Sequence, residues 1–128
     1  MDTFKREISL TQRKLNEKGI PTGELEKVSK SATFKELSQF DEEQGELIFS
    51  LSALIQSSSE NDFQKTVIDP KMMYRITKEI VKYLLVPGEG FTEDDKKLFL
   101  LDSVALLKFG NWFISEKFIG FFLTTMKS

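Results

Sequence analysis

Between residues 98 and 123 large apolar side chains follow one another almost without a gap: 98–101, 104–107, 112–114, 118–119 and 121–123. Burying such a set is worth roughly 1.5–3 kcal/mol per large side chain before the opposing conformational entropy is counted. The stretch must therefore be core, interface, or both. A chain of 128 residues has the length of one domain and hides about two thirds of its unfolded surface, which leaves no room for a separate second core. Asp102, Lys108, Asn111, Glu116 and Lys117 interrupt the stretch, so no run approaches the ~18 uncharged residues of a membrane span. The start, Met1-Asp2-Thr3-Phe4-Lys5-Arg6-Glu7, is charged and no apolar segment follows it, unlike a secretory leader. A cytoplasmic location is the expectation.

Two absences narrow the chemistry. Without Cys there is no disulfide framework, thiol nucleophile or thiolate metal site. Without His the commonest general base and the commonest transition-metal ligand are both missing. The expectation is a protein that is not an enzyme and carries no cofactor and no metal. The net charge of −2 argues against a large electrostatic footprint for nucleic acid.

Along the chain, Met1, Phe4, Ile8 and Leu15 fall at helical spacing, with Thr11 as a polar gap, and Gly19-Ile20-Pro21 has the form of a helix stop. This predicts an amphipathic helix over 2–18 with few anchors, docked weakly or held for a partner. Lys5, Arg6, Arg13, Lys14 and Lys18 offer a nucleic-acid surface as one reading, but they are interleaved with Asp2, Glu7 and Glu17, which favours a solvated face. Residues 22–32, anchored by Leu25 and Val28 alone, read as a linker. Thr33-Phe34-Lys35-Glu36 has the form of a capping box and predicts a short helix through Phe40. Asp41 caps the next predicted helix, whose stripe is Leu47, Ile48, Leu51, Leu54 and Ile55. Residues 57–61 end it, and Phe63, Val67 and Ile68 have helical spacing, with a short extended segment as the alternative.

Asp69-Pro70 marks a helix start, followed to about Leu85 by inward Met73, Ile76, Ile80, Val81, Leu84 and Leu85, with Met72, Tyr74 and Tyr83 at its margins. Lys71, Arg75, Lys78 and Lys82 form an outer ridge, either a solvated face or the candidate nucleic-acid contact of a small regulator. Residues 86–90 read as an interhelical turn. Thr92 and Asp95 make a box-like start for a helix running to about Lys108. Residues 108–111 close it, and a last helix covers 112–125. Glu93, Asp94 and Asp95 are the remaining carboxylates for a metal-dependent alternative. Strand signals are nearly absent.

The order Phe91-Thr92-Glu93-Asp94-Asp95, then 98–107, Phe109-Gly110-Asn111-Trp112-Phe113, Glu116-Lys117 and Phe121-Phe122 resembles the tail assembly chaperones of long-tailed bacteriophages over the C-terminal third of the chain. The similarity is one of texture and transfers no functional residue. It implies a small helical protein of the host cytoplasm that shields hydrophobic parts of tape-measure or tail-tube proteins during assembly.

The combined expectation is all-α: one compact helical domain of five to seven helices, with 1–32 an N-terminal helix plus linker and 33–128 the helical core. Its function is expected to be non-enzymatic protein–protein interaction. The candidate contacts for another protein or a second copy are Trp112, Phe118, Phe121 and Phe122, joined by Phe4 and Ile8. No membrane partner is expected.

Overall fold

Residues 2–57 and 70–126 are described by the structure, a computed structural model, with side-chain surroundings for 2–54 and 70–125. The fold is mixed α/β and corrects the all-α helical-bundle expectation. The N-terminal quarter, read as helix plus linker, is a long antiparallel hairpin of β1 (Thr3–Leu15) and β2 (Pro21–Lys35). Its register sets Phe4 opposite Phe34, Ile8 opposite Lys30 and Leu10 opposite Val28. Opposed residues share a face, so Phe4, Ile8, Leu10, Val28, Ala32 and Phe34 line the inner side, while Glu7, Ser9, Ser29 and Ser31 are exposed on the other.

Phe4 and Ile8, four apart, satisfy a helix and a strand alike; Leu10, buried beside Ile8, satisfies only the strand. Gly19 does adopt the left-handed conformation (φ +77°), yet it turns a hairpin instead of ending a helix. The Asn16 side-chain oxygen accepts from the Lys18 and Ile20 amides, both at 2.9 Å, and fixes that turn.

The capping-box motif at 33–36 lies at the end of β2. There Thr33 and Phe34 pair with Val86 and Leu85 of β3 (Leu85–Val86), completing the sheet in the order β1-β2-β3. No helix forms through Phe40, whose ring is 85% exposed. Gln44 holds the connection after β2: its amide oxygen accepts from the Ser38 N–H at 3.0 Å and its amide nitrogen donates to the Glu36 carbonyl at 3.1 Å. Asp41 caps a 3-10 turn (Glu42–Gln44) that leads into α1 (Gly45–Ser57). α1 buries Leu47, Leu51 and Leu54. The predicted stop at 57–61 lies largely outside the described residues, as do Phe63, Val67, Ile68 and the Asp69 cap.

α2 (Pro70–Leu84) begins at the expected proline and buries Met73, Ile76, Thr77, Ile80, Val81 and Leu84. α3 (Glu93–Leu101) starts with the expected box: Thr92 Oγ1 accepts from the Asp95 amide at 3.2 Å and Asp95 Oδ2 from the Thr92 amide at 2.9 Å. It does not run to Lys108. Asp102 ends it and caps α4 (Ser103–Phe113), its Oδ1 accepting from the Ala105 amide at 3.1 Å, with a bend of 95° between the two rods.

The expected stop at 108–111 is absent, since Gly110 sits inside α4 against Thr77 of α2. α4 continues through a π-helical segment (Ile114–Phe118) into α5 (Ile119–Met126). The wider turn lets Phe113 and Phe118, five residues apart, both be fully buried. Phe34 is stacked between Phe4 (ring centroids 5.2 Å) and Phe109 (4.7 Å), which joins sheet to α4. Among the described residues no single helix is long and apolar enough to cross a membrane.

Candidate functional site

The Glu36 amide donates to the Asp2 carbonyl at 3.0 Å in the register of the hairpin. Antiparallel ladders alternate between bonded and outward-facing residues, so the even residues of β1 bond to β2. Lys5, Glu7, Ser9 and Thr11 turn their N–H and C=O groups away from it. The same alternation turns Thr33 of β2 toward β3, where it pairs. The strand order leaves β1 at the edge of the sheet, so its outward groups lie along an open side.

Beside that side lies a groove of about 350 Å³. Glu7, Ser9 and Thr11 line it from β1, and Asp102, Val104, Ala105 and Lys108 from the start of α4. The arrangement follows from the 95° corner at Asp102, which sets the first turn of α4 beside β1. Val104 is 61% exposed, an apolar wall facing solvent.

The charges at the groove are unevenly committed. The Glu7 carboxylate accepts from the Ser29 hydroxyl at 2.9 Å, and Asp102 accepts from the Ala105 amide. Lys27 and Lys108, which also line the groove, are exposed and have no ion pair among the described residues. The groove therefore presents an apolar wall, unused main-chain groups and a small excess of positive charge, Arg6, Lys27 and Lys108 against Glu7 and Asp102.

Of the residues proposed from sequence, Ile8 lines this groove and the others lie elsewhere. Phe118 is fully buried and Ile8 nearly so; Phe4, Trp112, Phe121 and Phe122 are partly buried and packed on the core. Trp112 has Phe4 and Phe109 at 5.9 Å and the Arg6 guanidinium 4.3 Å over its ring. Phe118 packs with Phe122 and Phe121 at 5.9 and 6.4 Å. Phe118 is therefore core, while Phe4, Trp112, Phe121 and Phe122 pack on the core and keep part of their surface exposed. The large apolar side chains that face solvent are others, among them Leu15, Ile20 and Leu25 near the hairpin tip, Phe40, Phe49, Leu101 and Val104.

The α2 ridge is on the outer side of its helix, with Lys71, Arg75 and Lys82 exposed. Lys78 Nζ lies 4.4 Å over the Tyr74 ring and Lys82 Nζ 5.5 Å over the Tyr83 ring, so both heads rest on their own helix. Asp95 is buried, with Lys30 Nζ 2.9 Å from its Oδ1. Burial opposes its charge, but the Thr92 amide and the Lys30 ammonium outweigh that and hold its pKa below the ordinary carboxylate value. Among the described residues no three metal-ligating side chains converge.

Sequence reasoning missed Ser9, Thr11, Val104, Ala105 and Lys108. The signal that could have found the first two was Leu10, whose burial fits only a period of two. No family model, no characterised protein and no solved structure matches this chain.

Proposed function

We propose that this chain is a non-enzymatic protein-interaction protein that holds a segment of another protein in the groove between β1 and α4. The observation that carries the reading is an open strand edge facing exposed Val104 across a cavity of about 350 Å³. Unused main-chain donors and acceptors beside an apolar wall suit a polypeptide, whose own main chain completes the ladder while its side chains meet the wall. Chaperoning a hydrophobic tail segment in the host cytoplasm during phage assembly is the most specific form of this proposal. Leu101 and Val104, accessible at the corner of α3 and α4, are the apolar surface that such a role needs.

The test is an array of short random peptides probed with labelled protein and, in parallel, with Val104→Asp. A set of peptides retained by the parent chain and lost by the variant is the expected result. An array on which the folded parent protein binds nothing above background defeats the reading.

A further inference from the structure

We infer that the occupant of this groove is an acidic, extended segment of another protein, added to β1 as a fourth strand; the inference rests on the interaction reading above. Main-chain groups point outward at every second residue from Lys5 to Thr11, a repeat of about 6.8 Å. A strand running alongside can bond to each of them. An added strand lies about 4.8 Å from its neighbour, along the side of β1 that the groove borders. Its side chains alternate between Val104 and Ala105 on one side and solvent on the other. The opposite edge of the hairpin is less open, because β3 pairs with Thr33 and Phe34 and the loop at Gly90 lies against Ser31.

Charge selects the occupant. β1 carries Lys5, Arg6, Arg13 and Lys14 against Glu7, and the groove adds Lys27 and Lys108, neither in an ion pair among the described residues, against Asp102, so cations outnumber carboxylates. A second copy is disfavoured. Antiparallel pairing of two β1 strands centred on Ser9 sets Lys5 opposite Arg13 twice, and like charges directly opposite destabilise a strand pair. A strand alternating acidic and β-branched residues meets Lys5 and Arg13 toward the ends of β1, Lys27 and Lys108 at the groove, and an apolar wall beside it.

The test is amide exchange on isotope-labelled full-length protein, titrated with a short capped peptide alternating Glu and Val and with its Lys–Val counterpart. The expected result is that the acidic peptide slows exchange at Glu7, Ser9 and Thr11 by about tenfold or more. Ile8 and Leu10, already bonded into the hairpin, stay unchanged, and the basic peptide has no effect. Methylating alternate peptide nitrogens is expected to abolish binding. Ser9→Pro removes one outward donor that an edge strand can spare and should weaken binding about tenfold, one lost main-chain bond's worth. If that variant fails to fold, the methylated peptide still decides.

Binding without the odd-residue pattern overturns the inference, as does equal binding of the basic peptide. Protection of the same amides in concentrated free protein would put a second copy in the groove instead. Protection by a DNA oligonucleotide with a steep salt dependence would identify a nucleic acid. If the random array yields binders but neither charged peptide protects β1, the inference falls and the interaction reading stands. An empty array removes both.

Discussion

Replacing Gly110 by Ala sets two known magnitudes against each other at one position. In an exposed helix the change gains about 1 kcal/mol, because Gly is the poorer helix former. Here a Cβ on residue 110 would overlap Thr77 Oγ1 and come within 3.2 Å of both Thr77 Cβ and Cγ2. Thr77 is fully buried, and its hydroxyl donates to the Met73 carbonyl at 2.7 Å. The close approach includes Thr77 Cβ itself, so rotating the side chain does not clear it and α2 and α4 must part. Overpacking of this kind costs about 1–3 kcal/mol, which cancels or outweighs the propensity gain and leaves a net loss of up to about 2 kcal/mol.

Urea unfolding followed by the fluorescence of Trp112, the one tryptophan, measures this directly. That ring, on α4, packs against Phe4 of the hairpin and reports the separation of hairpin and helix. Thr77→Ala alone should cost about 1–2 kcal/mol for the buried bond and methyl it removes. The double variant should cost less than the sum by about 1 kcal/mol or more, since the new methyl enters the space vacated. If Gly110→Ala is more stable than the parent, or the two changes add strictly, the packing argument is wrong.

The Asp95 carboxylate gives a pH dependence. Its folded pKa lies below the ordinary 3.8, so its contribution is complete above that value and disappears as pH falls through the folded one. Thermal melts in acid should show the parent losing stability in this window that Asp95→Asn, which keeps an acceptor for the Thr92 amide, does not lose; parallel curves would refute the linkage. Asp102→Ala should cost about 1 kcal/mol and speed amide exchange in the first turn of α4, and unchanged exchange there would mean that the cap does not hold the corner. Phe118→Asp should abolish the native far- and near-ultraviolet circular dichroism, because it puts a carboxylate at a fully buried site. Phe122→Asp, partly exposed, should fold with reduced stability. Two equally well-folded variants would contradict the burial described.

The helices from α1 onward were largely legible, since each carries its own local marker. Asp41 and the Thr92–Asp95 box act at the starts where they stand in the sequence, and Pro70 opens α2. What failed depended on distant partners. The stop expected at 108–111 is overridden by Thr77, more than thirty residues away, against which Gly110 gives close approach and no break. The fusion of residues 92–108 into one helix failed for the opposite reason: Asp102 sits in an apolar run and reads as an interruption, although it caps a new helix. The aromatics at 112–122 looked too dense for a small domain to cover. For Trp112 and Phe113 the hairpin supplies cover through Phe4, and that hairpin was itself misread.

The misreading and the groove have a common origin in two cations on the inner face of the sheet. Strict alternation over 4–10 and 28–34 would have announced strands, but Arg6 and Lys30 stand where apolar residues belong. Each has a specific reason to be there: Arg6 covers the Trp112 ring of α4 at 4.3 Å, and Lys30 reaches Asp95 of α3 at 2.9 Å. Apolar side chains at both places would bury comparable surface but would let the hairpin slide, since hydrophobic contact is non-directional. A guanidinium over one ring and an ammonium on one carboxylate act at single positions. Together they fix β1 against the two rods that meet at Asp102. The distance between the free edge of β1 and the first turn of α4 is therefore set by these contacts, and that distance decides whether one more strand fits.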